Sequence, residues 1–218
     1  MPIKNDREYR AFEMLKRAKE NEGGDEPSFL VEGYASTCEE YTLFEGAGEI
    51  YRERIKPDAF NEADMDDVVF LLDHTGRVYA RTKNDTVKLT VDDKGLFTET
   101  DLSKTAAARS VDEDIEAGNY SQMSFAFTVA DDEYLVTTED EKTVYTRVIN
   151  RIKKVYDISA VGFPANPTTD IGVATRAAFD GAIERYKAER LSEARARNEA
   201  ARLKAIAKLK IMEVEHDY

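Results

Sequence analysis

The sequence predicts a mainly β fold of the α+β class with a long helix at its C-terminal end. Many short segments alternate apolar and polar side chains with the period of two that strands require. Before the tail, residues 103–118 have apolar side chains at helical spacing. From about Thr175 onward, good helix formers dominate. We therefore expect a strand-rich domain over residues 1–172 and a charged helical tail over residues 173–218.

The predicted strands follow one another with polar turns between them. Clusters of Gly, Asn, Asp or Glu separate the strands, for example at Glu139-Asp140-Glu141. Residues 38–49 have no clear period, so we expect an irregular segment there. The predicted strands cover residues 7–14, 29–37, 68–74, 77–82, 86–92, 95–102, 120–129, 133–138, 143–149 and 152–163.

Two further helical segments are expected inside the strand-rich domain. Pro57 and the three residues after it favour a turn into a short helix, because proline suits the first helical position. In the segment 103–118, the hydroxyl of Ser103 or Thr105 can cap the first turn, and Gly118 fits the left-handed stop.

Charge is unevenly distributed along the 218 residues, whose net charge is −13. Residues 176–210 carry ten Lys or Arg and five Asp or Glu, a net charge of +5, and residues 211–218 add −3. The first 175 residues therefore carry −15, which repels DNA phosphates and argues against nucleic acid as the main ligand. A basic protein partner fits better, although acidity that only aids solubility is an equal alternative.

Composition also excludes several kinds of protein. No run of 18 apolar residues exists, so we expect no membrane span, and the N-terminal stretch lacks the apolar region of a secretion signal. One cysteine, Cys38, permits no internal disulfide and suits a reducing compartment. Cys38, His74 and His216 match no standard zinc or iron–sulfur ligand pattern. No cofactor and no metal site is therefore predicted; a carboxylate-only site for a divalent ion stays an alternative, but the sequence has no spacing typical of a Ca²⁺ loop.

The segment 120–129 predicts a strand with two very different faces. Large side chains at Met123, Phe125 and Phe127 alternate with the small side chains of Ser124 and Ala126. One face is therefore bulky and the other nearly bare. The Ser124 hydroxyl on the bare face is either a filler on a solvent face or a nucleophile kept clear of large neighbours.

A serine nucleophile needs a base, and the base needs a partner that orients it. His74 ends an apolar strand and is the credible imidazole, since His216 lies near the chain end; a structural role for His74 is the alternative. Asp157 interrupts another apolar strand, and a buried carboxylate needs a partner. That partner is either a Lys or Arg, or a catalytic histidine.

The chain resembles the prohead protease family of tailed phages, the serine proteases that mature capsids. The resemblance covers roughly residues 7–172, and its stretches fall in the family's order. They are FLVEGYAS (29–36), ERIKPDAF (53–60), VVFLLDHTG (68–76), DDKGLFTETDLSKT (92–105), IEAGNYSQMSFAFTV (115–129) and VYDISAVGFPANP (155–167).

This resemblance implies a fold and a set of site residues. The family is similar in fold to the herpesvirus assemblin proteases, which implies a closed, mostly antiparallel β-barrel ringed by helices. The family's histidine falls on His74, its serine on Ser124 and its third member on Asp157, where many members have Glu. The loop after that strand implies oxyanion donors at the amides of Ala165 and Asn166.

The resemblance further implies a capsid-maturation endopeptidase that cuts coat-protein and scaffold segments and itself. Such an enzyme works in the host cytoplasm, inside the procapsid. Related assemblin enzymes work as dimers, so the resemblance implies a homodimer here. The charged tail is interpreted as a helix that binds scaffold, targets the enzyme or is removed by self-cleavage. A simple solvated helix is the alternative. The alternatives are a catalytically inactive assembly factor that binds scaffold and a nucleic-acid module. Ser121 and Ser159 are rival nucleophiles, and Ser124 is favoured over both. Ser159 lies two residues from Asp157 on the same face of the strand, so a supporting role at the site is its alternative.

Overall fold

The computed structural model describes residues 7–12, 16–17, 29–46 and 48–162, together with residues 184, 188, 191–192, 195–200 and 202–204. The chain divides into two compact units, Met1–Ala174 and Thr175–Tyr218. All of the strands described below belong to the first unit. The roles assigned to the two parts of the sequence, 1–172 and 173–218, stay predictions.

Eleven strands make up most of the described part of the first unit. They are β1 (Glu8–Phe12), β2 (Lys16–Arg17), β3 (Leu30–Thr37), β4 (Tyr41–Gly46), β5 (Glu49–Ile55), β6 (Val69–Leu72), β7 (Thr75–Arg81), β8 (Val87–Val91), β9 (Gly95–Asp101), β10 (Gln122–Glu139) and β11 (Lys142–Val161). The α-helix α1 spans Ala106–Glu116, and two 3₁₀ helices span Pro57–Phe60 and Thr82–Asn84.

The strands form two sheets. In the seven-stranded sheet, the order is β1-β10-β11-β5-β4, and β6 pairs with both β11 and β7. Most of its pairs are antiparallel, but β5 and β6 both run parallel to β11. The four-stranded sheet has the order β2-β3-β9-β8. Strand β11 is the hub of the larger sheet, because β10, β5 and β6 all pair with it.

The expected closed barrel is wrong. A barrel requires the two edge strands of a sheet to pair with each other. Among the described residues, β1 and β4 end the path of the larger sheet, β2 and β8 end the smaller one, and neither sheet closes. The ring of helices is also wrong, since the described part of this unit has α1 and the two 3₁₀ helices alone.

The long C-terminal helix is not among the observed elements. Most of the segment 173–218, on which that prediction falls, lies outside the described residues. The longest described piece there, residues 195–200, is helical and exposed. Within the part of the chain that the structure describes, no helix is long and apolar enough to cross a membrane.

The strand predictions are confirmed where a period of two is clear. Two predicted pairs, 120–129 with 133–138 and 143–149 with 152–163, form the single long strands β10 and β11. Register shifts between Ala126 and Asp132 bend this hairpin without ending either strand. The irregular segment expected at 38–49 is wrong, because β4 pairs there with β5.

The hydrophobic core takes side chains from both sheets and from α1. Phe125 and Phe127 on β10 are fully buried, as are Val31 on β3 and Leu96 on β9. Thr105 caps α1, with its Oγ1 accepting a hydrogen bond from the Ala108 amide at 3.1 Å. The bulky face predicted for β10 is thus the face that packs into the core.

A buried ion-pair cluster joins β1, β5 and β11. Glu53 has no exposed surface and accepts hydrogen bonds from Arg10 Nε at 2.6 Å and Arg147 Nη1 at 3.1 Å. Tyr41 donates its hydroxyl to the same carboxylate. Burial opposes ionisation of Glu53, but the two guanidinium groups outweigh it and lower the pKa of the carboxyl below its ordinary value.

Candidate active site

The small face of β10 carries Ser124. In the sheet, Ser124 lies between Ala11 of β1 and Ser159 of β11. Because directly paired residues on antiparallel strands point to the same side, the three short side chains share one face. The large neighbours, Met123 and Phe125, point into the core on the other face. The strand alternation thus separates the hydroxyl from the bulky side chains.

Asp157 reaches the same face from β11. Its partner on β10 is Ala126, two residues beyond Ser124, and Ser159 follows Asp157 on the same side. Asp157 is 3% exposed. The bonds found for its carboxylate go to His74 and Ser159, and within the described part of the chain no Lys or Arg forms an ion pair with it. The alternative of a structural pair with a basic side chain is therefore not observed there.

His74 lies in the two-residue turn between β6 and β7. Leu72 pairs with Thr75, and the two residues between them, Asp73 and His74, have φ angles of 45° and 57°. Two positive φ angles at the centre of a two-residue hairpin are the mark of a type I′ turn. Asp and His are among the non-glycine residues that tolerate this region best.

Parallel pairing of β6 with β11 carries this turn to the site. Val69 pairs with Asp157 and Leu71 with Ser159, and the Asp73 amide donates to the Ala160 carbonyl at 3.0 Å. The imidazole of His74, two residues beyond the end of β6, therefore reaches back over the face that carries Asp157.

The imidazole contacts both of the other predicted residues. His74 Nδ1 lies 2.6 Å from Asp157 Oδ1, and His74 Nε2 lies 2.6 Å from Ser124 Oγ. In the sequence, Ser124 lies 50 residues after His74, and Asp157 lies 83 residues after it. We call them the candidate triad. Their order along the contacts, hydroxyl to imidazole to carboxylate, is the order that nucleophile activation requires.

Two further side chains contact the candidate triad. Ser159 Oγ donates to Asp157 Oδ1 at 3.0 Å and lies 3.2 Å from His74 Nδ1. The ring of Tyr9 on β1 meets the His74 ring edge to face, with 4.6 Å between centroids. The sequence predicts a supporting role for Ser159 as one of its two readings, whereas no local pattern singles out Tyr9.

The site is largely closed to solvent. Ser124 is 1% exposed, while the His74 side chain is 15% exposed. A peptide that reaches the Ser124 hydroxyl must therefore displace side chains that cover it, and His74 is the accessible end of the candidate triad.

The other candidates of the sequence lie elsewhere. Ser121 is exposed and precedes β10, and the structure gives it no bond to His74. Ala165 and Asn166, the predicted oxyanion donors, lie outside the described residues.

Burial raises the pKa of the Cys38 thiol to about 11, with the carboxylates of Asp92 and Asp93 adding to the shift. Cys38 is therefore a neutral thiol at physiological pH and a poor nucleophile.

Comparison with known proteins supplies the family. No curated protein and no solved structure matches the chain, so the likeness to herpesvirus assemblins is not supported. The family model of the caudovirus prohead serine proteases does match, over residues 14–181, which include all three residues of the candidate triad. Because this match covers well over half of the sequence, the chain belongs to the caudovirus prohead serine protease family.

Proposed function

We propose that the protein is a serine endopeptidase that cleaves coat-protein and scaffold segments, and itself, during maturation of the phage capsid. Family membership supports the reaction class and the setting in the procapsid of the host cell. The observation that carries the residue assignment is the pair of 2.6 Å contacts made by the two ring nitrogens of His74.

In this proposal Ser124 is the nucleophile. The Nδ1–H of His74 donates to Asp157, so Nε2 carries the lone pair that accepts the Ser124 proton. The Oγ then attacks the scissile carbonyl to form an acyl-enzyme, and the imidazolium gives its proton to the leaving amine. In the second half of the reaction His74 takes a proton from water, which attacks the acyl-enzyme. The bond to Ser124 Oγ then breaks, the imidazolium returns its proton to that oxygen, and the carboxylate product leaves.

Asp157 orients the imidazole and stabilises the imidazolium that forms in each half of the reaction. Its burial makes this stabilisation stronger than in water, because the effective dielectric constant is lower inside the protein. The amides of Ala165 and Asn166 remain the proposed donors to the oxyanion, on the basis of sequence alone.

A catalytically inactive assembly factor is the other reading of the sequence. That reading expects the nucleophile and the imidazole to be separated beyond the reach of proton transfer, and a 2.6 Å contact gives it no support.

Co-expression with the coat and scaffold proteins of the phage tests the proposal. Ser124→Ala is expected to abolish processing of both proteins while leaving the thermal unfolding of the protease unchanged, with mass spectrometry as the readout. Ser121→Ala is the matched control, because Ser121 is exposed and lies outside the candidate triad. Full processing by Ser124→Ala would end the assignment.

A further inference from the structure

The face of the sheet that carries the candidate triad extends beyond it along β10. Ser124, Ala126 and Thr128 are alternate residues and point to the same side, while the intervening Phe125 and Phe127 are in the core. Thr128 is four residues from Ser124, which is about 14 Å along a strand. An extended peptide bound at Ser124 covers that distance in about four residues.

Two buried polar groups lie on neighbouring strands at this end of the face. Thr128 is 3% exposed, and its Oγ1 has no hydrogen-bond partner among the residues that the structure describes. Glu8 of β1 pairs with Phe127, so the same register continued by one residue brings Arg7 opposite Thr128. The Nε of Arg7 is also buried and has no hydrogen-bond partner within the described part of the chain. Such groups are costly to bury, and their presence at one site indicates that something else satisfies them.

Tyr156 holds the Arg7 guanidinium at this position. The register shift between Ala126 and Phe127 leaves Tyr156 as an extra residue on β11, directly before Asp157. Val155 on its other side is fully buried in the core, so Tyr156 points away from the core. The Arg7 guanidinium carbon lies 3.7 Å from the centroid of the Tyr156 ring. Stacking of this kind fixes the guanidinium plane and leaves its edge free to bind.

Arg7 differs in its partners from other arginines of the chain. Arg10, Arg52 and Arg81 each form an ion pair with Asp or Glu. Within the described residues, Arg7 has neither an ion pair nor a hydrogen bond, although the chain carries 44 acidic residues. Lys154, whose ammonium lies 5.6 Å from the same Tyr156 ring, is already paired with Asp64. Arg7 therefore presents a positive charge that no described acidic side chain neutralises, on the face of the sheet that carries the candidate triad.

We propose that Arg7, stacked on Tyr156 and opposite the Thr128 hydroxyl, forms a subsite that binds an acidic side chain of the substrate. This inference rests on the proposed peptidase function and adds a substrate class to it. The planar guanidinium edge matches a carboxylate, and the Thr128 hydroxyl donates to the same group. The enzyme then prefers peptides with Asp or Glu within about four residues of the scissile bond.

Cleavage of a chymotryptic peptide library by the full chain, read by mass spectrometry, tests the subsite. Asp and Glu are expected to be enriched at one fixed position within four residues of the cut. Arg7→Gln lowers the ratio of kcat/KM between acidic and neutral peptides about tenfold or more, mainly through KM, because a charge-assisted hydrogen bond is lost. Arg54→Gln, on an exposed arginine of β5, leaves that ratio unchanged.

Charge reversal separates the subsite from a general loss of folding. Arg7→Glu is expected to replace the preference for Asp and Glu with one for Lys and Arg at the same position, a gain that a damaged fold cannot produce. Wild-type cleavage without any acidic preference, or an unchanged preference in Arg7→Glu, overturns the subsite and leaves the peptidase intact. If a fluorophosphonate fails to label Ser124 and the wild type cuts no peptide, both the subsite and the proposed function fail.

Discussion

Removal of the Ser159 hydroxyl tests how the Asp157 carboxylate is held. Ser159 is fully buried, and its Oγ donates to Asp157 Oδ1 at 3.0 Å, the same oxygen that faces His74. In Ser159→Ala, the buried carboxylate keeps the imidazole as its one observed partner. We therefore treat Ser159 as a positioning residue that acts through Asp157.

The expected magnitude follows from the type of hydrogen bond that is lost. A hydrogen bond to a charged group contributes about 1.5–3 kcal/mol. If that free energy is expressed in the transition state, at 1.36 kcal/mol for each factor of ten, the rate falls about 10- to 150-fold. The assay is the second-order rate at which a fluorophosphonate labels Ser124, since this rate depends on activation of the hydroxyl and needs no knowledge of the natural substrate.

A double-mutant cycle then distinguishes positioning from a separate structural effect. In an Asp157→Ala background, Ser159→Ala is expected to change the labelling rate less than about threefold, because the group through which it acts is gone. Ser121→Ala is the matched serine control in both backgrounds. An equal loss from Ser159→Ala with and without Asp157 would refute the argument.

Two further predictions concern stability and the turn that carries His74. The pKa of the Glu53 carboxyl is lowered in the folded state, so the unfolded state takes up the proton first as the pH falls. The stabilisation of the fold by ionised Glu53 is therefore complete above about pH 5 and is lost as the pH falls toward the folded pKa. Between pH 7 and pH 4, urea unfolding should show a smaller loss of unfolding free energy for Glu53→Gln than for the wild type. At pH 7 the variant should be about 3 kcal/mol less stable, because Arg10 and Arg147 lose their fully buried anion and keep only the more exposed Glu8 and Asp132. An identical pH dependence in the two proteins would contradict the assignment. In the turn, Asp73→Val should lower the free energy of unfolding by about 1–2 kcal/mol more than Asp73→Gly does, because a β-branched residue does not tolerate a φ of 45°. Asp73→Val should also slow the labelling of Ser124 by the fluorophosphonate. Both substitutions remove the bond from the Gly162 amide to the Asp73 carboxylate, so their difference isolates the backbone, and equal stabilities would exclude strain at this position.

Local sequence patterns predict an element or a site residue correctly where the evidence lies in one side chain and its immediate neighbours. The alternation around Ser124 predicts a strand with a bulky core face, and the hydroxyl of Ser103 or Thr105 predicts the start of α1, where Thr105 is the cap. Asp157 is recognisable because a carboxylate in an apolar strand needs a partner. The contacts of both site residues agree with these expectations, although their catalytic roles stay proposals.

The features that local patterns do not predict all depend on pairing between strands far apart in the sequence. Strands β5 and β6 pair in parallel with β11 across about ninety residues, and no local period specifies such partners. For the same reason no local period predicts β4, whose strand character depends on its pairing with β5. The arrangement of two open sheets in place of a barrel depends on which edge strands pair, and that too is a property of the assembled fold.

The parallel pairing of β6 with β11 also determines when the candidate site exists. His74 is synthesised 83 residues before Asp157, and the β6–β11 ladder is what brings the two together. A partly synthesised chain that lacks β11 therefore has the imidazole but neither its acid nor a docked turn. Under the proposed function, peptide hydrolysis requires the completed β6–β11 ladder, so a nascent chain that lacks β11 cannot cleave the proteins around it.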